Sequence, residues 1–254
     1  MKQTVVVIGQ GEMGGVFARG LLRAGYPVYP VTRDMDMQAE AELIPDPVLV
    51  LLAVGEADLQ ASMETIPEKW RGKLGLLQNE LLPRDWKQYG YDQPTVISVW
   101  FEKKKGQDVK VLIPSPVFGP AASILMEALT SLQIPVKKVE TEIEMQRELV
   151  LKNVYIVTTN VSGLVVGGDV ETLWKEQQQL AREVASDVID IQEWLTDTQY
   201  DRENLLEGFV EAINGDPKHM CMGRSAPARL ARAVAQAGEA GIAANKLRDI
   251  QGKQ

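Results

Sequence analysis

The glycine-rich segment near the start of the chain has the residue types and spacing of a phosphate-binding turn. Gly9, Gly11 and Gly14 follow the apolar run Val5–Ile8 in a GxGxxG pattern, and a helical pattern comes directly after them. In such a turn the first glycine permits a tight reversal, the second lets the backbone approach a pyrophosphate, and the third lets helix and strand pack closely. The alternative is a purely structural turn. The sequence predicts a dinucleotide-binding loop formed by Gly9, Gln10, Gly11, Glu12, Met13 and Gly14.

The residues at the end of the second predicted strand, Pro27–Thr32, indicate which dinucleotide binds. NAD sites usually have an acidic residue here for the ribose hydroxyls, whereas an arginine accommodates the 2′-phosphate of NADP. This chain has Thr32 and Arg33, and a guanidinium offers paired donors to phosphate oxygens. We therefore expect NADP(H) as cofactor. The alternative is that Arg33 is a solvated residue, paired with Asp34. Glu12 must point away from the phosphates.

Composition excludes several classes of function. The 254 residues allow one or two domains, and contents of 45% hydrophobic and 24% charged residues are typical of a soluble globular protein. A formal net charge of −8 argues against nucleic-acid binding, and the lysine run Lys103–Lys105 is interpreted as a solvated hairpin tip. Cys221 is the single cysteine, so no intrachain disulfide and no cysteine-based metal site can form, and we expect no bound metal. No signal peptide or membrane span is evident, which predicts a cytoplasmic protein. We expect its partner to be a small-molecule substrate.

Short apolar strands alternate with helical segments in the first part of the chain. This order predicts an α/β fold with a Rossmann-like, doubly wound parallel sheet. Thr95–Phe101 and Val109–Ile113, joined by a turn at Gly106, predict an antiparallel hairpin that extends the sheet at one edge. The predicted parallel strands are Val5–Ile8, Pro27–Thr32, Pro47–Val54 and Leu74–Gln78.

From about residue 142 the pattern changes to long helical segments. We predict a Rossmann domain for NADP at residues 1–141 and an all-helical domain at residues 142–254 for substrate binding and dimerisation. The long apolar helices allow a homodimer. The predicted helices are Glu142–Thr159, Val170–Leu195, Glu203–Ile213 and Ala226–Ala240.

In order and type these residues resemble the ketopantoate reductase family, NADPH-dependent enzymes that reduce 2-dehydropantoate to pantoate. The glycine loop with Arg33 resembles the family's nucleotide loop and 2′-phosphate anchor. Leu77–Glu80 is similar to its LQNG segment, which implies that Asn79 lies near the nicotinamide. Lys152 falls where the family has its catalytic lysine, and Asn160 matches the second of two substrate-binding asparagines. The resemblance implies reduction of a small 2-oxo acid or related carbonyl, with Lys152 as general acid.

The chain departs from the family pattern mainly in the substrate half. Ile156 replaces the first asparagine, and the segment Gly223–Arg229 lacks the family's carboxylate. Arg224 and Ser225 are then the candidates that join Asn160 as substrate ligands. Two alternatives stay open: Asn160 caps the end of its helix before Gly163, and the protein is a catalytically degenerate NADP(H)-binding sensor or regulator.

Overall fold

A computed structural model describes residues 2–254, and these residues form two compact units. The first unit runs to Glu148 and the second is Leu149–Gln254. The boundary between the units therefore lies inside a helix that begins at Glu142.

The first unit is built on a seven-stranded sheet. Its strands are β1 (Val5–Ile8), β2 (Val28–Val31), β3 (Leu49–Leu52), β4 (Leu74–Leu76), β5 (Thr95–Ile97), β8 (Ser115–Phe118) and β9 (Val136–Lys138). They lie side by side in the order β2, β1, β3, β4, β5, β8, β9. Neighbouring strands are parallel except for β5 and β8, which are antiparallel.

The central strands are apolar along their whole length because both faces are covered. The residues of β3 are fully buried, and those of β1 nearly so. Such strands suit the middle of a parallel sheet with helices on both sides. Helices of this unit are α1 (Glu12–Arg23), α2 (Met37–Leu43), α3 (Leu59–Thr65), α4 (Glu68–Arg71), α5 (Pro83–Lys87) and α6 (Ala122–Ser131). The predicted fold class is confirmed.

The predicted hairpin differs from expectation in its place. The predicted strand Thr95–Phe101 is divided, and its first part is β5 of the main sheet. Its last residue begins β6 (Phe101–Glu102), which pairs with β7 (Lys110–Val111) in a separate two-stranded sheet that does not extend the main sheet. The antiparallel member of the main sheet is β8, a segment for which proline-rich sequence predicted no strand. Pro116 within β8 lacks an N–H, but its carbonyl accepts a bond from the Ser98 N–H at 3.0 Å.

The second unit is helical, as predicted. The predicted helix Glu142–Thr159 is longer than expected, because α7 (Glu142–Val166) continues through Gly163. The predicted helix Val170–Leu195 is divided at Gln177 into two helices. A Cβ on Gly163 would lie 2.9 Å from Cys221 Cβ, so the glycine lets Cys221 pack closely against α7. The helices are α7 (Glu142–Val166), α8 (Val170–Glu176), α9 (Gln178–Thr196), α10 (Arg202–Gly215), α11 (Ala226–Ala240) and α12 (Asn245–Gln251), the last of which was not predicted.

Helix α7 is the one helix among residues 2–254 that is long and apolar enough to cross a membrane. The mean hydropathy of its most apolar 18-residue window is 1.5, and 72% of that window is buried inside the protein. Such burial is typical of the core helix of a globular unit.

Candidate functional site

Two of the three glycines in the loop after β1 are required by the local backbone, and the third is not. Gly9 has a φ of 94°, a backbone angle that residues with a side chain rarely adopt, and a Cβ there would lie 2.7 Å from the Ala53 carbonyl oxygen. A Cβ on Gly14 would lie 2.1 Å from the Gly9 carbonyl oxygen, so this glycine permits close strand-to-helix packing. Gly11 differs from both, because nothing lies within 4 Å of its Cβ position and its φ is −70°. The space beside Gly11 faces outward and can receive a ligand.

Backbone donors converge on this space. Gly11 is the N-cap residue of α1 in an extended conformation and provides no side-chain cap. The first N–H groups of a helix have no acceptor within the helix, and the helix dipole places partial positive charge there. The side chain of Gln10 is turned back onto the strand, where its Nε2 donates to the Val7 carbonyl at 2.9 Å. The amino end of α1 is therefore suited to bind an anion.

Arg33 follows β2 and lies on the surface. Its side chain is 87% exposed, and Nη2 lies 3.1 Å from Oδ2 of Asp58. The expected alternative partner was Asp34; the structure shows that Arg33 pairs with Asp58, which lies in the turn after β3. Thr32 is exposed, and its carbonyl accepts a bond from the Met35 N–H at 3.2 Å in a tight turn. An exposed guanidinium leaves donors for a phosphate, whereas Asp58 competes with that phosphate.

Asn79 lies three residues after the end of β4, at the same edge of the sheet as the glycine loop. The buried Gln78 connects β3 to β4, because its Nε2 donates to the Leu52 carbonyl at 2.7 Å and its Oε1 accepts from the Leu77 N–H at 3.1 Å. Asn79 Nδ2 donates to Glu56 Oε1 at 3.1 Å. The sequence reasoning identified Asn79 but gave no role to Gln78 beside it or to Glu56, its hydrogen-bond partner. The position of Gln78 shortly after a strand was the available signal.

The candidate catalytic residue Lys152 belongs to the second unit. It lies on α7, is half-buried, and has its Nζ 6.0 Å from the centroid of the buried Tyr155 ring. This distance is at the outer limit of a cation–π contact. Ile156, one turn further along α7, is also half-buried.

Asn160 is buried and its amide is engaged within the second unit. Nδ2 donates to the Cys221 carbonyl at 3.0 Å, and Oδ1 accepts from Arg229 Nη1 at 2.9 Å. The alternative that Asn160 caps the end of its helix is wrong, because α7 continues to Val166. These contacts give Asn160 a packing role, while its role as a substrate ligand stays a prediction.

The segment before α11 carries the two other predicted substrate ligands. Arg224 and Ser225 are exposed, and Ser225 is the N-cap residue of α11. Its carbonyl accepts the Arg229 N–H at 2.9 Å, and its hydroxyl makes no capping bond. Both side chains are therefore accessible.

Comparison with solved structures shows the same fold in dehydrogenases and reductases. A PanE/ApbA family ketopantoate reductase from Ralstonia eutropha JMP134 aligns with a TM-score of 0.68 at 14% identity, covering 98% of this chain and 96% of that one. A 2-dehydropantoate 2-reductase from Methylococcus capsulatus aligns at 0.66 and 14% identity, over 98% and 94%. D-mandelate dehydrogenase, with NADH and anilino(oxo)acetate, aligns at 0.68 and 10% identity, over 98% and 96%.

No family model matches the sequence, and no curated protein matches it. The likeness extends over nearly the whole chain at low identity. The chain has the fold of the nucleotide-dependent dehydrogenases that pair a Rossmann sheet with a helical region. Within that class it has the ketopantoate reductase fold, as the order of its residues predicted.

Proposed function

We propose that this protein is an NADP(H)-dependent oxidoreductase of the cytoplasm that reduces a small 2-oxo acid or a related carbonyl compound. One observation carries the proposal: Gly11 faces open space, at a loop whose other two glycines are required by the fold itself. A glycine with no neighbour within 4 Å has no reason in the packing, whereas a pyrophosphate resting on the backbone explains it.

The residues at this edge of the sheet fit the parts of a dinucleotide. The first N–H groups of α1 would hold the pyrophosphate, and Arg33 would bind a 2′-phosphate if it releases Asp58. Asn79, beside Glu56, would contact the nicotinamide side. When bound, the dinucleotide supplies the hydride of the reaction.

The chemistry proposed for the chain's own residues centres on Lys152. Reduction of a carbonyl needs a positive charge or donor at the developing alkoxide and a proton for its oxygen, and an ammonium group supplies both. Lys152 is half-buried, and its ammonium lies 6.0 Å from the centroid of the buried Tyr155 ring. The similar structures include a 2-dehydropantoate 2-reductase and a D-mandelate dehydrogenase, which supports a 2-oxo acid as the substrate class.

A second candidate function is a nucleotide-binding sensor without catalysis. Two observations favour it: the Asn160 amide is already engaged by Arg229 and Cys221, and the segment 223–229 contains no carboxylate. In that case Arg224 and Ser225 would bind a regulatory ligand. Association into a homodimer belongs to either proposal and is measured by light scattering after size exclusion.

Calorimetry tests the cofactor half. We expect NADPH to bind more tightly than NADH, and the preference to disappear in Arg33→Ala but persist in the matched surface variant Arg23→Ala. Arg23 is exposed at the far end of α1. Failure of the wild-type protein to bind either dinucleotide would overturn the proposal.

Turnover tests the catalytic half. Purified protein is incubated with NADPH and a panel of 2-oxo acids while cofactor absorbance is followed. We expect oxidation with at least one substrate, loss of that rate in Lys152→Ala, and an unchanged rate in Lys175→Ala, an exposed lysine of the same unit. Nucleotide binding without turnover on any substrate would favour the sensor.

A further inference from the structure

A cavity of about 280 Å³ lies beside the glycine loop in the first unit. One wall is the exposed face of the first two turns of α1 and the loop before it, including Gly11, Glu12 and Arg19. The opposite side is formed by one residue of the separate hairpin, Lys103, which follows β6. The fold thus brings Lys103, about 90 residues further along the chain, to the edge of the predicted phosphate-binding loop.

Lys103 differs from the two lysines that follow it. Its side chain is 21% exposed, compared with 54% for Lys104, which pairs with Glu102 at 3.1 Å. The Lys103 ammonium donates to the carbonyl oxygens of Lys104, at 3.1 Å, and Gln107. These two carbonyls hold the ammonium at the base of the hairpin turn. The expectation that the whole lysine run is solvated is therefore wrong for its first member.

The remaining neighbour of the Lys103 ammonium is the carboxylate of Glu12. The two groups lie 3.8 Å apart, and the Glu12 side chain is 45% exposed. A carboxylate at this position would repel a phosphate at the amino end of α1, and Lys103 offsets that charge. The Glu12 carboxylate is partly exposed, and 3.8 Å is near the outer limit of an ion pair, so this pair contributes little to stability and its exchange for another anion costs little.

We propose that Lys103 is a pyrophosphate anchor of the dinucleotide site, reached from the hairpin and held in place by Glu12 when no nucleotide is bound. On binding, the ammonium would exchange the Glu12 carboxylate for phosphate oxygens, and Arg19 would add a second positive charge to the same cavity. This inference rests on the proposed function, since it assigns a further residue to the same site. It also explains how a glycine loop with an internal glutamate can accept an anion.

Calorimetric titration of four variants with NADPH and with NADH tests the proposal. Lys103→Met keeps the length of the side chain and removes its charge; we expect binding of both dinucleotides to weaken by the same factor of about ten, the loss expected for one charge-assisted hydrogen bond. Lys103→Arg should restore most of the affinity. Glu12→Gln removes the competing carboxylate and should tighten binding by about threefold. Lys105→Met, in the same lysine run but exposed and outside the cavity, is the matched control.

The outcomes separate this inference from the function on which it rests. Wild-type binding with no difference between Lys103→Met and Lys105→Met would overturn the anchor and leave the proposed function intact. An effect on NADPH alone would place Lys103 at the 2′-phosphate and would also refute the anchor. Absence of binding in the wild type would overturn both. Thermal unfolding without ligand shows whether Lys103 only fastens the hairpin to α1, in which case Lys103→Met lowers the melting temperature and the affinity changes little.

Discussion

The glycine loop predicts that equal substitutions at two neighbouring positions have opposite consequences. In Gly14→Ala the new Cβ would lie 2.1 Å from the Gly9 carbonyl oxygen, about 0.9 Å inside the 3.0 Å limit that real Cβ contacts observe. The obstacle is backbone, so the loop or helix must move. In Gly11→Ala the new methyl group enters space with no atom within 4 Å and a φ of −70° that any residue adopts.

The expected magnitudes follow from these contacts. Overpacking against backbone costs about 1–3 kcal/mol, while alanine in a helix returns up to about 1 kcal/mol. The obstacle to Gly14→Ala is backbone at 2.1 Å, which places its cost near the upper end of this range. For a chain of this size the resulting net loss of about 2 kcal/mol lowers the melting temperature by about 4–8 °C. For Gly11→Ala, the reduced freedom of the unfolded chain and the poorer N-cap each change stability by about 0.5–1 kcal/mol with opposite sign, so the melting temperature stays nearly constant.

NADPH affinity should distinguish the two positions in the opposite way to stability, because Gly11→Ala is expected to lose affinity while keeping its stability. The Gly11→Ala methyl group occupies the space assigned to the pyrophosphate, and we expect NADPH affinity to fall about tenfold or more. Thermal unfolding by circular dichroism and calorimetric titration measure the two effects. Gly72→Ala is the control, because Gly72 ends α4 in a helical conformation with nothing near its Cβ position. Unchanged affinity in Gly11→Ala would refute the assignment of this space to a ligand, and full stability of Gly14→Ala would refute the packing argument.

Three further predictions concern the second unit. Asn160→Ala removes an acceptor from the buried Arg229 guanidinium and a donor from the Cys221 carbonyl, and should lower stability in urea by about 1–3 kcal/mol. The Thr172 backbone N–H lowers the pKa of Asp169 to about 2, so its stabilising effect, complete above a pH of about 4, is lost as pH falls towards 2, and Asp169→Asn should show a smaller loss in urea titrations over that range. Burial raises the pKa of the Cys221 thiol to about 11, so a disulfide reagent at pH 8 should react only after denaturation, and fast reaction of the native protein would contradict this.

Local patterns predicted the first strand and the glycine turn after it well. The run Val5–Ile8 and the three glycines determine both an element and its turn, because each residue's requirement is met within a few positions of chain. The parallel order of the first strands follows from their alternation with helices. What stayed hidden were contacts between distant segments: Asp58 beside Arg33, and Lys103 beside Glu12. No spacing along the chain indicates which charges a fold brings together.

The errors in the helical unit have the same origin. Glycine has a low helix propensity, yet α7 continues through Gly163. Packing against Cys221 within the second unit requires a glycine at this position. An arginine on a helix is usually exposed to solvent, but Arg229 is 6% exposed and bonds to Asn160. Tertiary packing overrides local preference in both places. Substrate residues are harder to predict than the glycine loop because a single polar side chain serves packing or binding equally well.

The two outer strands of the main sheet have a bearing on how the protein behaves at high concentration. An open sheet presents unpaired backbone groups at its edges, and these can recruit a further strand from another molecule. Here β2 carries the exposed Pro30, which lacks an N–H, and β9 carries Lys137 and Lys138, whose charges would be forced together by strand addition. Both edges thus disfavour growth into an aggregate by sheet extension.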